Sequence, residues 1–100
     1  MTRIKLKATP GSHTVTARED GSVVVDWYDF GDHAPYESAN MLIFEADGLA
    51  ALAKALGMPA EASAGAIVTG LAERFDSYFT IRAFADARAA PYRHEVDFRP

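Results

Sequence analysis

Residues 13–30 run HTVTAREDGSVVVDWYDF, and their reading decides the fold. His13 to Arg18 is rich in β-branched residues, Val23 to Phe30 is the strongest strand in the chain, and Asp20-Gly21 between them signals a tight turn. The pattern predicts a hairpin, about 13–18 paired with 23–29. Within VVVDWYDF a period of two sets Val23, Val25 and Trp27 on one face and Val24, Asp26, Tyr28 and Phe30 on the other. Trp27 is expected in the core, which leaves Asp26 and Tyr28 facing outward.

Working outward, Ile4, Leu6 and Ala8 alternate with Arg3, Lys5 and Lys7, the mark of a strand over 3–8 whose lysines suit a sheet edge. Thr9 to Ser12 breaks it as a turn. On the other side, Gly31 to Tyr36 has the composition of a loop and Asn40 to Glu45 (NMLIFE) reads as a strand. The period then changes. Leu49, Leu52, Ala53 and Leu56 form one stripe of a helix over 47–56, capped by Asp47 and ended by Gly57. Pro59 suits the first position of a second helix over 60–75, with Glu61 in its first turn and Ala64, Ile67, Val68, Leu71 and Phe75 on its apolar face. Gly65 and Gly70 weaken that helix by roughly 1 kcal/mol each relative to Ala, and they suggest close helix-to-sheet contact. After Asp76 a period of two returns, and 77–85 and 92–98 read as strands with one wet face, His94 being a hydrogen-bonded inner-face histidine. The expected fold is a single α+β domain over residues 1–100: a mainly antiparallel sheet (strands about 3–8, 13–18, 23–30, 40–45, 77–85 and 92–98) packed by two helices.

Composition bounds the function. One hundred residues, 49% hydrophobic and 24% charged, form one ordinary globular core. With no cysteine there is no disulfide framework, thiolate metal site or cysteine nucleophile. A net charge of -4 argues against a nucleic-acid surface, which needs clustered Lys and Arg. The basic residues of the N-terminus alternate with apolar ones and lead into no signal-length apolar block, and the apolar run at 64–72 falls far short of the roughly 20 residues of a membrane span. A cytoplasmic protein with no membrane partner and no cofactor is expected.

The charge is unevenly spread. Between Asp26 and Asp47 stand Asp26, Asp29, Asp32, Glu37, Glu45 and Asp47 with no Lys or Arg, while the flanking segments are basic or balanced. The same stretch holds Trp27, Tyr28, Phe30, Tyr36 and Phe44. Carboxylates steer a basic partner and fix its register, and Trp and Tyr supply the buried contacts. The expected recognition surface is therefore Asp26, Tyr28, Asp29, Asp32, Tyr36 and Glu37, the last placed in the loop region, on a non-enzymatic domain that binds a basic protein. A small acidic α+β domain with such a strip resembles in kind the bacterial inhibitor and immunity proteins that cover basic enzymes, a likeness of character that transfers no residue.

The alternative is a small metal- or ligand-binding protein or enzyme using Asp29, Asp32, His33 and Glu37, which offer oxygen ligands and one imidazole within nine residues but match no loop template. Asp29-Phe30-Gly31 spells a kinase magnesium motif without any of its companions. No serine lies in a Gly-x-Ser-x-Gly elbow, and His13, His33 and His94 have no partner legible in the sequence, so no catalytic residue is assigned. Arg74, Arg82, Arg88, Arg93 and Arg99 are interspersed with acids. They suit pairing within the fold, or with the acidic stretch across a homodimer.

Overall fold

The computed structural model describes residues 2–30 and 37–99, residue 99 by its backbone only. Strands β1 (Thr2–Lys5), β2 (Ser12–Ala17), β3 (Val23–Asp29) and β4 (Glu37–Phe44) come first. Helices α1 (Ala46–Ala55), α2 (Ala64–Arg74) and α3 (Tyr78–Ala87) follow, and strand β5 (Arg93–Arg99) closes the order. The five strands form one antiparallel sheet in the order β1-β2-β3-β4-β5, each beside its sequence neighbour. The fold is α+β, with the helices on one face of the sheet.

The hairpin follows the sequence pattern. β2 and β3 pair from Ser12 opposite Tyr28 to Ala17 opposite Val23. Arg18 N donates to Ser22 O at 2.8 Å, Gly21 takes φ +89°, and Asp20 Oδ1 accepts from the Ser22 hydroxyl at 2.6 Å and the Ser22 N–H at 2.9 Å. A short hairpin loop needs such a left-handed residue, which Gly supplies without a β-carbon clash. Those two hydrogen bonds hold the Asp20 carboxyl below its ordinary pKa.

Ile4, Val15, Val25 and Leu42 lie in register across four strands, and with Val23, Phe44 and Ala17 they make the inner sheet face. Leu52 and Ala53 of α1, Ile67, Val68 and Leu71 of α2, and Tyr78, Ile81 and Ala85 of α3 close over it. Each large apolar side chain taken out of water contributes about 1.5–3 kcal/mol before chain entropy is set against it. Trp27 shares this face but is only half-buried. Its ring lies against Phe79 and Tyr78, with centroids 4.8 and 6.1 Å away, and its Nε1 donates to Pro10 O at 3.2 Å.

Several expectations are corrected. The segment 77–85, expected as a strand, is helix α3, so there are three helices. Ser77 caps it by accepting from Thr80 N at 3.1 Å, and the buried positions Tyr78, Ile81 and Ala85 recur at helical spacing. The second helix begins at Ala64 instead of residue 60, because the Pro59–Ala62 segment closes its own turn (Ala62 N to Pro59 O, 3.0 Å) and Ser63 is the cap that accepts Ala66 N. Glu45 occupies the N-cap of α1 without a side-chain cap, leaving Asp47 inside the first turn, where its charge still faces the helix dipole. Glu37 is not in a loop; it opens β4, which starts three residues earlier than expected. His94 faces inward and meets the Tyr78 hydroxyl at 3.2 Å, but it is exposed because no helix covers this part of β5. Gly65 does approach the sheet, at Thr2, whereas Gly70 approaches Met58 and Leu56 beyond α1.

Candidate functional site on the outer sheet face

All three helices pack on the inner face, so the outer face carries the sheet's accessible chemistry. The strand registers arrange it in rows. The first row runs Arg3, Thr16, Val24, Ile43, Arg93; the second runs Lys5, Thr14, Asp26, Met41, Glu95; the third runs Ser12, Tyr28, Ala39, Asp97. Val24 and Ile43 are buried although no helix lies over them, bracketed in their row by two arginines whose aliphatic stems can shield apolar neighbours. Acids concentrate toward one end of this face: the first row carries Arg3 and Arg93 and no acid, Asp26 and Glu95 share the second row with Lys5, Asp97 lies in the third, and Glu37 lies beyond it opposite Arg99 in the register.

At the acidic end the face is hollowed. A cavity of about 460 Å³ is lined by Arg3, Ser12, Thr14, Asp26, Trp27, Tyr28, Phe30, Glu37, Ala39 and Met41. Three of the six expected recognition residues, Asp26, Tyr28 and Glu37, converge here. The Tyr28 hydroxyl donates to Glu37 Oε2, which ties β3 to β4 across the hollow. Tyr28 and Phe30 rings lie with centroids 4.9 Å apart, and Phe30 is exposed at the rim. Asp26 is half-buried and makes no hydrogen bond or ion pair among the described residues. Burial pushes its carboxyl above the ordinary pKa, and the positive charges of Arg3 and Arg18 offset only part of that rise.

The remaining expected residues fall elsewhere. Asp29 lies opposite Ser38, and strand alternation sets it on the face away from Asp26 and Tyr28. Asp32 and Tyr36, and His33 of the alternative metal set, lie outside the described residues. Among the described residues no group of three or more His, Asp or Glu side chains is placed to hold a metal ion.

Four contributors escaped the sequence. Glu95 and Asp97 join the acidic end only because β5 pairs with β4, setting Glu95 opposite Met41 and Asp97 opposite Ala39. Arg3 and Thr14 reach the hollow from β1 and β2. Alternation in Arg93-His94-Glu95-Val96-Asp97 does signal one wet face, but strand order alone says which face it extends.

Of the arginines in the C-terminal third, Arg82, Arg88 and Arg93 make contacts within the fold. Arg93 bridges Glu45 at 3.1 Å and Glu95 at 3.3 Å, and Arg82 Nε donates to the Tyr92 hydroxyl at 3.3 Å, which donates to Asp86 at 2.7 Å. Arg88 stacks 4.2 Å above the Phe84 ring. No helix among the described residues is long and apolar enough to cross a membrane. Compared with known proteins, the chain matches no family model, and neither curated proteins nor solved structures provide a match.

Proposed function

We propose that the protein is a non-enzymatic binding domain that receives a basic segment of a partner protein on the acidic end of its outer sheet face. The observation that carries this reading is Asp26: a half-buried carboxylate at the hollow, without a hydrogen bond or ion pair among the described residues, beside Glu37 and two aromatic rings. A carboxylate kept in that state costs the fold some stability, and a cationic side chain entering the hollow would offset the cost by pairing with it. Phe30 and Tyr28 supply apolar and cation–π contact for the stem and head of the same Lys or Arg. Glu95 and Asp97 extend the attraction toward β5, where they steer the encounter.

The test is affinity capture from a lysate of the source organism, run in parallel with the wild-type protein and with an Asp26→Asn, Glu37→Gln variant. The expected result is a basic protein held by the wild type, released by moderate salt, and lost from the variant. Identical capture by both proteins overturns the proposal.

A further inference from the structure

We propose that His13 is an acid-operated latch: a proton taken up on its Nδ1 releases the first turn of α3 from β2. The first N–H groups of a helix have no acceptor within it. In α3 the Ser77 hydroxyl accepts from Thr80 N at 3.1 Å, and the N–H of Tyr78 goes to His13 Nδ1 at 2.9 Å. His13 Nε2 lies 3.2 Å from Pro10 O, and the residue is 1% exposed. A neutral imidazole serves both contacts, as donor to Pro10 O and acceptor from Tyr78 N. An imidazolium donates at both nitrogens, so its Nδ1–H meets the Tyr78 N–H donor to donor while the contact with Pro10 O is kept. It also sets a positive charge at the positive end of the α3 dipole. Protonation therefore acts against one contact, the one that joins the sheet to the helix.

The groups around the ring do not offset this. Trp27 of β3 and Phe79 of α3 lie against it and carry no charge. From β1, Leu6 N donates to His13 O at 2.7 Å, and the exposed residues flanking Leu6 are the cations Lys5 and Lys7. On α3, burial raises the Tyr78 pKa and keeps its hydroxyl neutral in acid, Arg82 one turn on is a further cation, and His94 of β5 meets that hydroxyl at 3.2 Å. Asp76, ahead of α3, is exposed, and burial and the Pro10 hydrogen bond are what shift the His13 pKa. The rest of α3 stays anchored. Asp76 O accepts from Ala8 N at 3.0 Å, Ile81 and Ala85 are buried, and the Phe84 ring lies 4.9 Å from that of Phe75. The part free to move is 77–80, and with it goes the contact of Phe79 with Trp27, the chain's single tryptophan. An open turn gives His13 its ordinary affinity for a proton, so each pH unit below about 6.5 raises the open fraction about tenfold.

Amide hydrogen exchange from about pH 7 to about pH 4.5, with Trp27 fluorescence beside it, tests the latch. Corrected for the pH dependence of intrinsic exchange, protection of the Tyr78 amide is expected to fall about tenfold per pH unit below about 6.5. It is expected to stay below that of the Val15 and Val25 amides and, because a local opening exposes little surface, to ignore urea below the unfolding transition. Trp27 emission is expected to move to longer wavelength in step. His13→Asn is expected to abolish the pH slope, and His94→Asn, which removes the other imidazole facing Tyr78, to leave it intact. In the wild-type protein the ring-nitrogen shifts of His13 are expected to show the Nε2–H tautomer at neutral pH and proton uptake together with the Trp27 change. Tyr78 protection that follows Val15 and Val25 at every pH and urea concentration assigns the acid effect to global unfolding and overturns the latch. So does a His13 ring that protonates while the Tyr78 amide stays protected, or a slope that vanishes in His94→Asn.

Discussion

The Nδ1 of His13, on β2, accepts the backbone N–H of Tyr78 at 2.9 Å, joining positions 65 residues apart at the start of α3. The other ring nitrogen, Nε2, lies 3.2 Å from Pro10 O, which fixes the neutral tautomer with the proton on Nε2. His13 is 1% exposed, and its ring lies against Trp27 and Phe79, with centroids 6.2 and 5.9 Å away. Burial lowers its pKa below the ordinary histidine value, and the Pro10 hydrogen bond offsets only part of that. Below the unfolded-state pKa the unfolded chain therefore binds a proton that the folded chain resists. The stability contributed by the neutral ring is complete above about pH 6.5 and is lost as pH falls from there toward the lower folded-state pKa. The melting temperature is expected to drop over that acid range. His13→Asn, whose amide oxygen can still accept from Tyr78, is expected to be less stable by about 1–3 kcal/mol near neutral pH and to lose this slope. Thermal melts of both proteins across the range check it, and an unchanged slope in the variant counts against His13 as its source.

The same helix start explains where sequence legibility ended. Tyr78-Phe79-Thr80-Ile81 is a run of aromatic and β-branched residues with high strand propensity, and Phe79 and Ile81 alternate with Tyr78 and Thr80 as a strand would. Tertiary context overrides the local preference. Ser77 supplies a cap, His13 takes the Tyr78 N–H, and core space exists for Tyr78, Ile81 and Ala85 at helical spacing. The β2–β3 hairpin, by contrast, was legible because alternation and the Asp20-Gly21 turn agree with each other. At the site, Asp26, Tyr28 and Glu37 were legible as acids and an aromatic concentrated in one stretch. Glu95 and Asp97 were not, since their place depends on β5 returning beside β4 after three helices, a long-range pairing that no local pattern encodes.

At the other end of α3, Ala89 takes φ +52°, with Ala89 N donating to Asp86 O at 3.2 Å and Ala90 N to Ala85 O at 3.0 Å. This is the left-handed terminus that glycine usually fills, and a β-carbon there costs about 1–2 kcal/mol. Ala89→Gly removes that strain but makes the unfolded chain more flexible, which recovers part of the difference for the unfolded state. A net gain of about 0.5–1 kcal/mol is expected, seen as a rise of about 2–8 °C in melting temperature. A lower melting temperature contradicts the assignment of strain to this residue.

Gly48 sets two effects against each other. It lies in the first turns of α1, where replacing Gly by Ala ordinarily favours the helix by up to about 1 kcal/mol. Here an added β-carbon would overlap the Pro91 carbonyl oxygen, a backbone atom just ahead of β5, and would crowd the Phe44 ring. Backbone cannot swing aside as a side chain can, so α1 and the 90–92 connection must separate. Gly48→Ala is expected to destabilise the protein by about 1–3 kcal/mol despite the gain in propensity. Denaturant titration measures it, and a neutral or stabilising result shows that the α1–Pro91 contact yields easily.

Asp26 sets stability against binding. Its folded-state pKa is raised, so the folded chain holds this proton more strongly than the unfolded chain, and the contribution of this one group to stability declines as pH rises through its titration. At neutral pH the ionised carboxylate is a net cost, tempered by its contact with water and by Arg3 and Arg18. Asp26→Asn keeps the shape and removes the charge. It is expected to raise the stability at neutral pH by a few tenths of a kcal/mol, a discounted figure for a half-buried group, and to flatten the pH dependence in the carboxylate range. The same substitution is expected to weaken capture of the basic partner about tenfold or more, because a desolvated charge pair is lost. A variant that melts higher and binds worse identifies a carboxylate retained for recognition, whereas one that melts lower and binds equally well makes Asp26 a structural residue.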